Sequence, residues 1–428
     1  MEVSRLELLP NVYLTAVETD KFKTGALSAT LLTQLNRDNA SSNALIPSVL
    51  RRGTVTMPDM TALQSRLDTL YGAAMEPSVR RKGEIQAIGF RSSFCDGRFL
   101  PGREDVTAEA AALLGDLWLR PNTRGGLLLP DYVESERDKL VERIDARIND
   151  KLSYAVSRLI EEMCCFEDYG AGPMGNHDSA ESIYYVNLSR HYKELLSSSP
   201  MELFYCGSQE AERVADSLRE AFLPMPRGEL NEELGTDIRM NAVEDSPRFF
   251  EETMDVAQGQ LVLGFRMGRC MEDPDDAVLR VLNALYGGSV TSRLFMNVRE
   301  KLSLCYYASS SLDMHKGVMI AYAGINFADR DKAQDEMLRQ LEELRHGNIS
   351  EEELQGAKAY IASSLRSVGD SPLSMEAFYL DQTIAGLDYG PDELAALVED
   401  VTRDQVAEAM EDVALDAVYF LKGEDKHD

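Results

Sequence analysis

Two stretches of the chain, "SRLDTLYGAAMEPSVRRKGEIQAIGF" (65–90) and "VREKLSLCYYASSSLDMHKGVMIAYAGI" (298–325), follow one plan. Each runs from a helix into a tyrosine-containing turn, and each then reaches a Lys-Gly pair that opens a strand. The order of the elements around them repeats too, which duplication explains better than coincidence. A duplicated chain must fold twice over, and at 428 residues it is too long for a single hydrophobic core.

In the first half, "NVYLTAV", "GALSATLL", "KGEIQAIGFRSS" and "MELFYCGS" read as strands. A helix is predicted over about 41–51. Another follows in "TALQSRLDTLYGAAM", where Thr61 and Gln64 fit a capping box. Long helices fill about 105–118 and 131–164. The second half gives a strand at "GQLVLGFRMG", helices at "DDAVLRVLNALYGG" and "TSRLFMNVREKL", and a hairpin from "LCYYASSSLD" and "KGVMIAYAGINF". Two helices come next, the second opened by Ser350 and Glu353, and "DAVYFLKG" closes the chain as a strand. Strands cluster and helices cluster, which predicts an α+β fold: two homologous domains, each an antiparallel sheet packed on one side by helices. The Pro-, Gly- and acid-rich "LPMPRGELNEELGTD" reads as a linker. The expected domains are residues 1–222 and 246–428, joined by 223–245.

Charge narrows the partners. A formal net charge of −29 repels phosphate backbones and anionic headgroups, which argues against nucleic acid and membrane surfaces. No apolar run approaches the roughly 18 residues of a membrane span. "MEVSRLELLPNVYL" lacks the basic start and unbroken apolar stretch of a signal peptide, so a cytoplasmic location is expected. Cys95, Cys164, Cys165, Cys206, Cys270 and Cys305 form no CxxC pair and read as reduced, mostly buried thiols.

Catalytic motifs are sparse. Catalytic zinc needs about three protein ligands, commonly histidines sharing a helix face. The five histidines, His177, His191, His315, His346 and His427, are too far apart for any i, i+4 pair. His191, His346 and His427 read as surface or capping residues. There is no GxSxG elbow and no phosphate-binding GxxxxGK[ST] loop. "YGAGPMGNHD" (169–178) is glycine-rich without the lysine such a loop needs, and reads as an irregular connection.

"YGGSVTSRLFMNVREKLSLCYY" stands apart. Gly287 and Gly288 break one helix, and Ser289, Thr291 or Ser292 can cap the next. Arg299 lies near that helix's end, and Tyr306 starts a strand seven residues on. The spacing can bring a guanidinium and a phenol to one point at a sheet edge, where both suit peptide carbonyls or a developing oxyanion. The same residues also fit a surface arginine paired with Glu300 and a half-buried tyrosine.

The "GG…SRLF…VREK…YY" segment resembles the insulinase/pitrilysin family of inverted zinc peptidases, which includes mitochondrial processing peptidase. "MGNHDSAESI" (174–183), "RRGT" (51–54) and "ESERDKLVERIDARINDK" (134–151) are similar to further family stretches, so the likeness spans nearly the whole chain. It implies the LuxS/mitochondrial processing peptidase-like metallohydrolase fold. The family places His-x-x-Glu-His just before the basic-Gly-Thr turn. Counting back from Gly53, the two His positions fall on Ala44 and Ser48 and the Glu on Pro47. The distal glutamate ligand falls on Arg143, with Glu142 about 100° around the helix. Shifting the count by one residue restores nothing, because no histidine precedes His177. Arg299 and Tyr306, by contrast, match the pair that contacts substrate backbone in the family.

The resemblance, closest to zinc-free members of paired bacterial proteins, therefore implies a catalytically inactive subunit with no metal. Such a chain would pair with a zinc-bearing homologue, or with itself, and help to bind peptide. A pure scaffold and an autonomous peptidase with a rebuilt metal site are the alternatives.

Overall fold

The computed structural model describes residues 1–102, 104–229, 234–239, 244–272 and 275–423. His427 and parts of the expected 223–245 linker lie outside them. The chain divides into two compact units. One comprises Met1–Asp145, Ala171–Gly235 and Ser371–Asp381; the other comprises Ala146–Gly170, Thr236–Asp370 and Gln382–Asp428. Both are α+β, as the sequence predicts, but they cut across the expected boundaries. Each holds one stretch from the other's half of the sequence.

The first unit is built on a six-stranded sheet. Its strand order is Glu2–Leu9, Val12–Glu18, Met201–Gly207, Thr24–Gln34, Ile85–Cys95 and Ala74–Lys82. All neighbours are antiparallel except Val12–Glu18 with Met201–Gly207, a parallel pair. That pair corrects the expectation of a purely antiparallel sheet. A crossover through the intervening helices returns the late strand in the same direction as the early one. One face carries Leu27, Ala29, Leu31, Ile88, Phe90 and Leu203, which form a core with the helices Ala40–Leu50, Val106–Leu119 and Ala211–Phe222. Trp118 sits fully buried there, edge-on to Phe90.

The opposite face of that sheet is more polar, because Ser28, Thr30, Arg91 and Glu202 alternate with the core residues. The unit's stretch from the far end of the chain, most of the helix Pro372–Ile384, covers it. Glu376 is buried there. It accepts both Nη atoms of Arg80 at 2.8 and 2.7 Å and the Ser28 hydroxyl at 3.1 Å, with Arg91 3.8 Å away. Tyr379 stacks on Phe204.

The second unit carries a five-stranded sheet, ordered Cys305–Asp313, Val318–Ile325, Gly259–Arg266, Ala414–Gly423 and Arg248–Met254. Its last two strands are again parallel. Every residue of Gly259–Arg266 is buried, the mark of a strand covered on both faces. One cover is the helix Lys151–Met163, whose Ala155, Leu159 and Met163 pack on Val262, Tyr419 and Leu421. The sequence reading, with helices on one side alone, missed this second layer. The helix expected over 131–164 is in fact two, Pro130–Asp145 and Lys151–Met163, broken by a 3-10 turn where the chain passes between units.

A buried ionic cluster fixes this stretch. Glu167 pairs with Arg266, with Lys316 at 2.7 Å and with Arg239 at 3.5 Å. Asp416 accepts from Arg266 at 2.9 Å and Arg248 at 2.7 Å. Burial opposes ionisation of Glu167, but the hydrogen bonds from Arg266 and Lys316 outweigh it and hold the carboxyl down at about 2. Burial pushes the neighbouring Cys164 thiol up to about 12.

The duplicated stretches form equivalent hairpins. The Lys-Gly pairs fall at the turns, where Gly83 has φ 58° and Gly317 φ 64°, values that cost glycine little. Tyr71 and Ser303, each just past a helix, share the left-handed conformation.

Candidate functional site

In the second unit, residues 284–301 are wound as two π-helical segments, Ala284–Gly288 and Leu294–Lys301. Such wide turns are rare and concentrate at functional sites. Gly287 allows the first to lie against the sheet, since a Cβ there would come within 2.5 Å of the Ser310 nitrogen. Ser309 then donates to the Gly287 carbonyl at 2.8 Å.

The second segment aims Arg299 at the start of the edge strand Cys305–Asp313. Tyr306 is the extra residue of a bulge there: Cys305 pairs with Ile325 and Tyr307 with Gly324. Bulges re-aim side chains at sheet edges, and the Tyr306 ring projects outward, 65% exposed. Arg299 Nε donates to the Tyr306 carbonyl at 2.9 Å, and its guanidinium lies 4.6 Å from the Phe295 ring centroid. Glu300 lies 3.2 Å from Nη1, but both partners are solvated and such a pair adds little. A cavity of about 440 Å³ opens beside these groups, lined among others by Val290, Phe295, Arg299, Tyr306 and Tyr360.

The structure thus brings Arg299 and Tyr306 together, although through the tyrosine's carbonyl. Sequence reasoning missed Phe295 and Tyr360. The i, i+4 spacing to Arg299 could have flagged Phe295. Tyr360, on the helix Glu351–Val368, carries no local signal.

The positions Ala44, Pro47 and Ser48 lie on the helix Ala40–Leu50 of the first unit. Ala44 and Pro47 are buried, and Ser48 is half-buried. Pro47 cannot donate to the Asn43 carbonyl one turn back. Arg143 is exposed on the helix Pro130–Asp145, its Nε donating to the Lys139 carbonyl at 3.3 Å. A methyl group, a pyrrolidine, one hydroxyl and a guanidinium do not make a zinc ligand set. Among the described residues, no group of three or more His, Cys, Asp or Glu is arranged to hold a metal ion.

Polar contacts tie this region together instead. Glu136, buried and seven residues before Arg143 on nearly the same helix face, accepts from Arg52 at 3.1 Å and Lys139 at 2.7 Å. Behind the first helix, the buried Asn43 accepts from His191 Nε2 at 2.5 Å and donates to Gln86 at 2.7 Å. Burial holds the His191 imidazole below its usual range, so it stays neutral near pH 7. His191 is therefore part of an interior network and not the surface residue the sequence suggests. His346 does cap its helix, through the Glu342 carbonyl.

Comparison with known proteins agrees with this picture. The family model "Peptidase M16 inactive domain" matches residues 183–361, a stretch that includes Arg299 and Tyr306. The "probable inactive metalloprotease YmfF" of Bacillus subtilis is 31% identical, over 95% of both chains. A conserved protein from Enterococcus faecalis V583 superposes with a TM-score of 0.87 at 26% identity, over the whole of both chains. A peptidase M16 inactive domain from Pseudomonas fluorescens superposes with a TM-score of 0.81, covering 99% of this chain and 98% of that one, at 15% identity. Among the described residues, no helix is long and apolar enough to cross a membrane. The chain belongs to the peptidase M16 family, as a metallopeptidase homologue that lacks the His-x-x-Glu-His motif.

Proposed function

We propose that this chain is a catalytically silent subunit that pairs with a zinc-bearing homologue and holds the peptide for it. Ala44, Pro47, Ser48 and Arg143 stand where metal-binding and basic groups would be needed, and none of them can serve. Hydrolysis then belongs to the partner, whose metal polarises the carbonyl and activates water. Arg299 and Tyr306 contribute hydrogen bonds to the peptide backbone, and the peptide adds as a strand at a sheet edge.

The observation that carries this reading is the pairing of Arg299 and Tyr306 at an open cavity, in a chain whose other candidate site has no ligand set. The Phe295 ring and the Tyr306 carbonyl fix the guanidinium, which lowers the entropy lost on binding.

Mixing the purified chain with a zinc-bearing homologue tests it. Arg299→Ala is expected to lower the pair's turnover of peptide by about ten-fold or more, the scale of a lost charge-assisted hydrogen bond, while both chains still co-elute. Unchanged turnover in Arg299→Ala and Tyr306→Phe would favour a scaffold. Stoichiometric zinc together with hydrolysis by the lone chain would overturn the reading altogether.

A further inference from the structure

Ser303 holds φ 51°, a left-handed backbone that glycine adopts freely and serine only at a cost. The residue is exposed, and its hydroxyl makes no hydrogen bond among the described residues. Nothing local repays the conformation, so its reason lies in what it holds in place. It ends the wide helical segment Leu294–Lys301. The Leu302 N–H donates to the Asn297 carbonyl at 3.1 Å, five residues back, and the Leu304 N–H to the Val298 carbonyl at 3.1 Å, six back. Asn297 Nδ2 donates to the Arg293 carbonyl at 3.2 Å, taking the acceptor that its own amide would use in an α-turn.

The first duplicated stretch ends differently. Its helix Met60–Thr69 is α-wound, with the Leu70 N–H on the Arg66 carbonyl at 3.2 Å, and the Arg66 side chain pairs with Glu109. There a glycine, Gly72 at φ 74°, shares the left-handed turn with Tyr71. An α-turn closes on the residue four back and the wide turn on the residue five back. Rewinding 294–301 as α therefore carries Arg299 about one place, roughly 100°, around the axis. That movement breaks the bond from Arg299 Nε to the Tyr306 carbonyl and displaces Val298 from its buried position.

We propose that residues 294–303 are a two-state element and that Ser303 is the positioning residue that sets it. With Ser303 left-handed, the segment is wide and Arg299 is held at the peptide cavity. With Ser303 relaxed, the segment is α-wound and Arg299 turns away. A glycine would lock the first state; serine keeps the second within reach, and an arriving peptide selects the wide winding. The switch rests on the reading of Arg299 as a peptide-holding group and adds how that group is brought into play.

Ser303→Gly removes the cost of the left-handed backbone, and Ser303→Val raises it. In the lone chain labelled at arginine, NMR exchange of the Arg299 Nε hydrogen, assigned by its loss in Arg299→Ala, reads the aimed state directly. It is expected to exchange about five-fold faster in Ser303→Val and about five-fold slower in Ser303→Gly, the scale of one left-handed residue. In the pair with a zinc-bearing homologue, Ser303→Val should raise KM for peptide about three-fold at constant kcat, and Ser303→Gly should lower it about two-fold. Neither change should act once Arg299 is replaced by alanine. Exchange indifferent to both variants would overturn the switch, and so would a KM effect that persists in Arg299→Ala. If exchange follows Ser303 while Arg299→Ala leaves turnover intact, the switch stands and the peptide-holding role falls.

Discussion

Glu167 shows how much one side chain can control. Its carboxyl titrates at about 2, against an ordinary value near 4.5, so the folded state holds it ionised more firmly than the unfolded chain does. The stability it contributes is fully present above about pH 4.5 and is lost as pH falls through about 2. Wild-type urea midpoints are therefore expected to drop steeply over that window. Glu167→Ala should cost about 3–5 kcal/mol at pH 7 and flatten the drop, and an equally steep acid limb in the variant would refute this role. None of this was legible in the sequence. "CCFEDYG" gives no hint that its glutamate meets Arg266 and Lys316, because the contacts span about a hundred residues and more. The Arg299–Tyr306 pair was legible because helix and strand sit side by side in the sequence. The Asn43–His191–Gln86 network was not, since its members are brought together only by the fold.

At the scale of elements, the buried central strands were read from their apolar residues, and the second hairpin was read whole, whereas in the first only the strand after Lys82-Gly83 was, its edge partner Ala74–Lys82 being taken in part for helix. The edge strands Glu2–Leu9 and Arg248–Met254 went unread, because half-exposed positions with many charges resemble loop. The cap of the second helix was also misplaced. Asp59 precedes Met60–Thr69 and accepts from the Ala62 nitrogen at 2.8 Å, in place of the Thr61/Gln64 box. Asp59→Ala is accordingly expected to cost about 1 kcal/mol, while Thr61→Ala stays within about 0.5 kcal/mol. Urea denaturation separates the two, and the reverse order would restore the sequence reading. Ser350 and Glu353 do form the expected box. The helices 151–163 and 372–384 could be recognised as helical or not, but periodicity never says which sheet a helix will join.

For the whole molecule, the net charge of −29 sets a background repulsion that ion pairs at the surface offset poorly. Screening reaches about 10 Å at 0.1 M salt. Raising sodium chloride from about 0.02 to 0.5 M, well past that point, is expected to raise the thermal midpoint by a few degrees; a fall would mean that the surface pairs outweigh the repulsion. Duplication, fold class and the loss of the zinc motif were all readable from sequence, since each is written in local pattern or order. The division into units was not, because it depends on where two helices travel.

Those travelling helices also bear on assembly. A half-length chain with this architecture would have a sheet with one bare face and a helix without a sheet, a combination that two copies could satisfy by exchange. In one chain the two halves meet at a fixed, high effective concentration, where two separate chains would depend on their own concentration to meet.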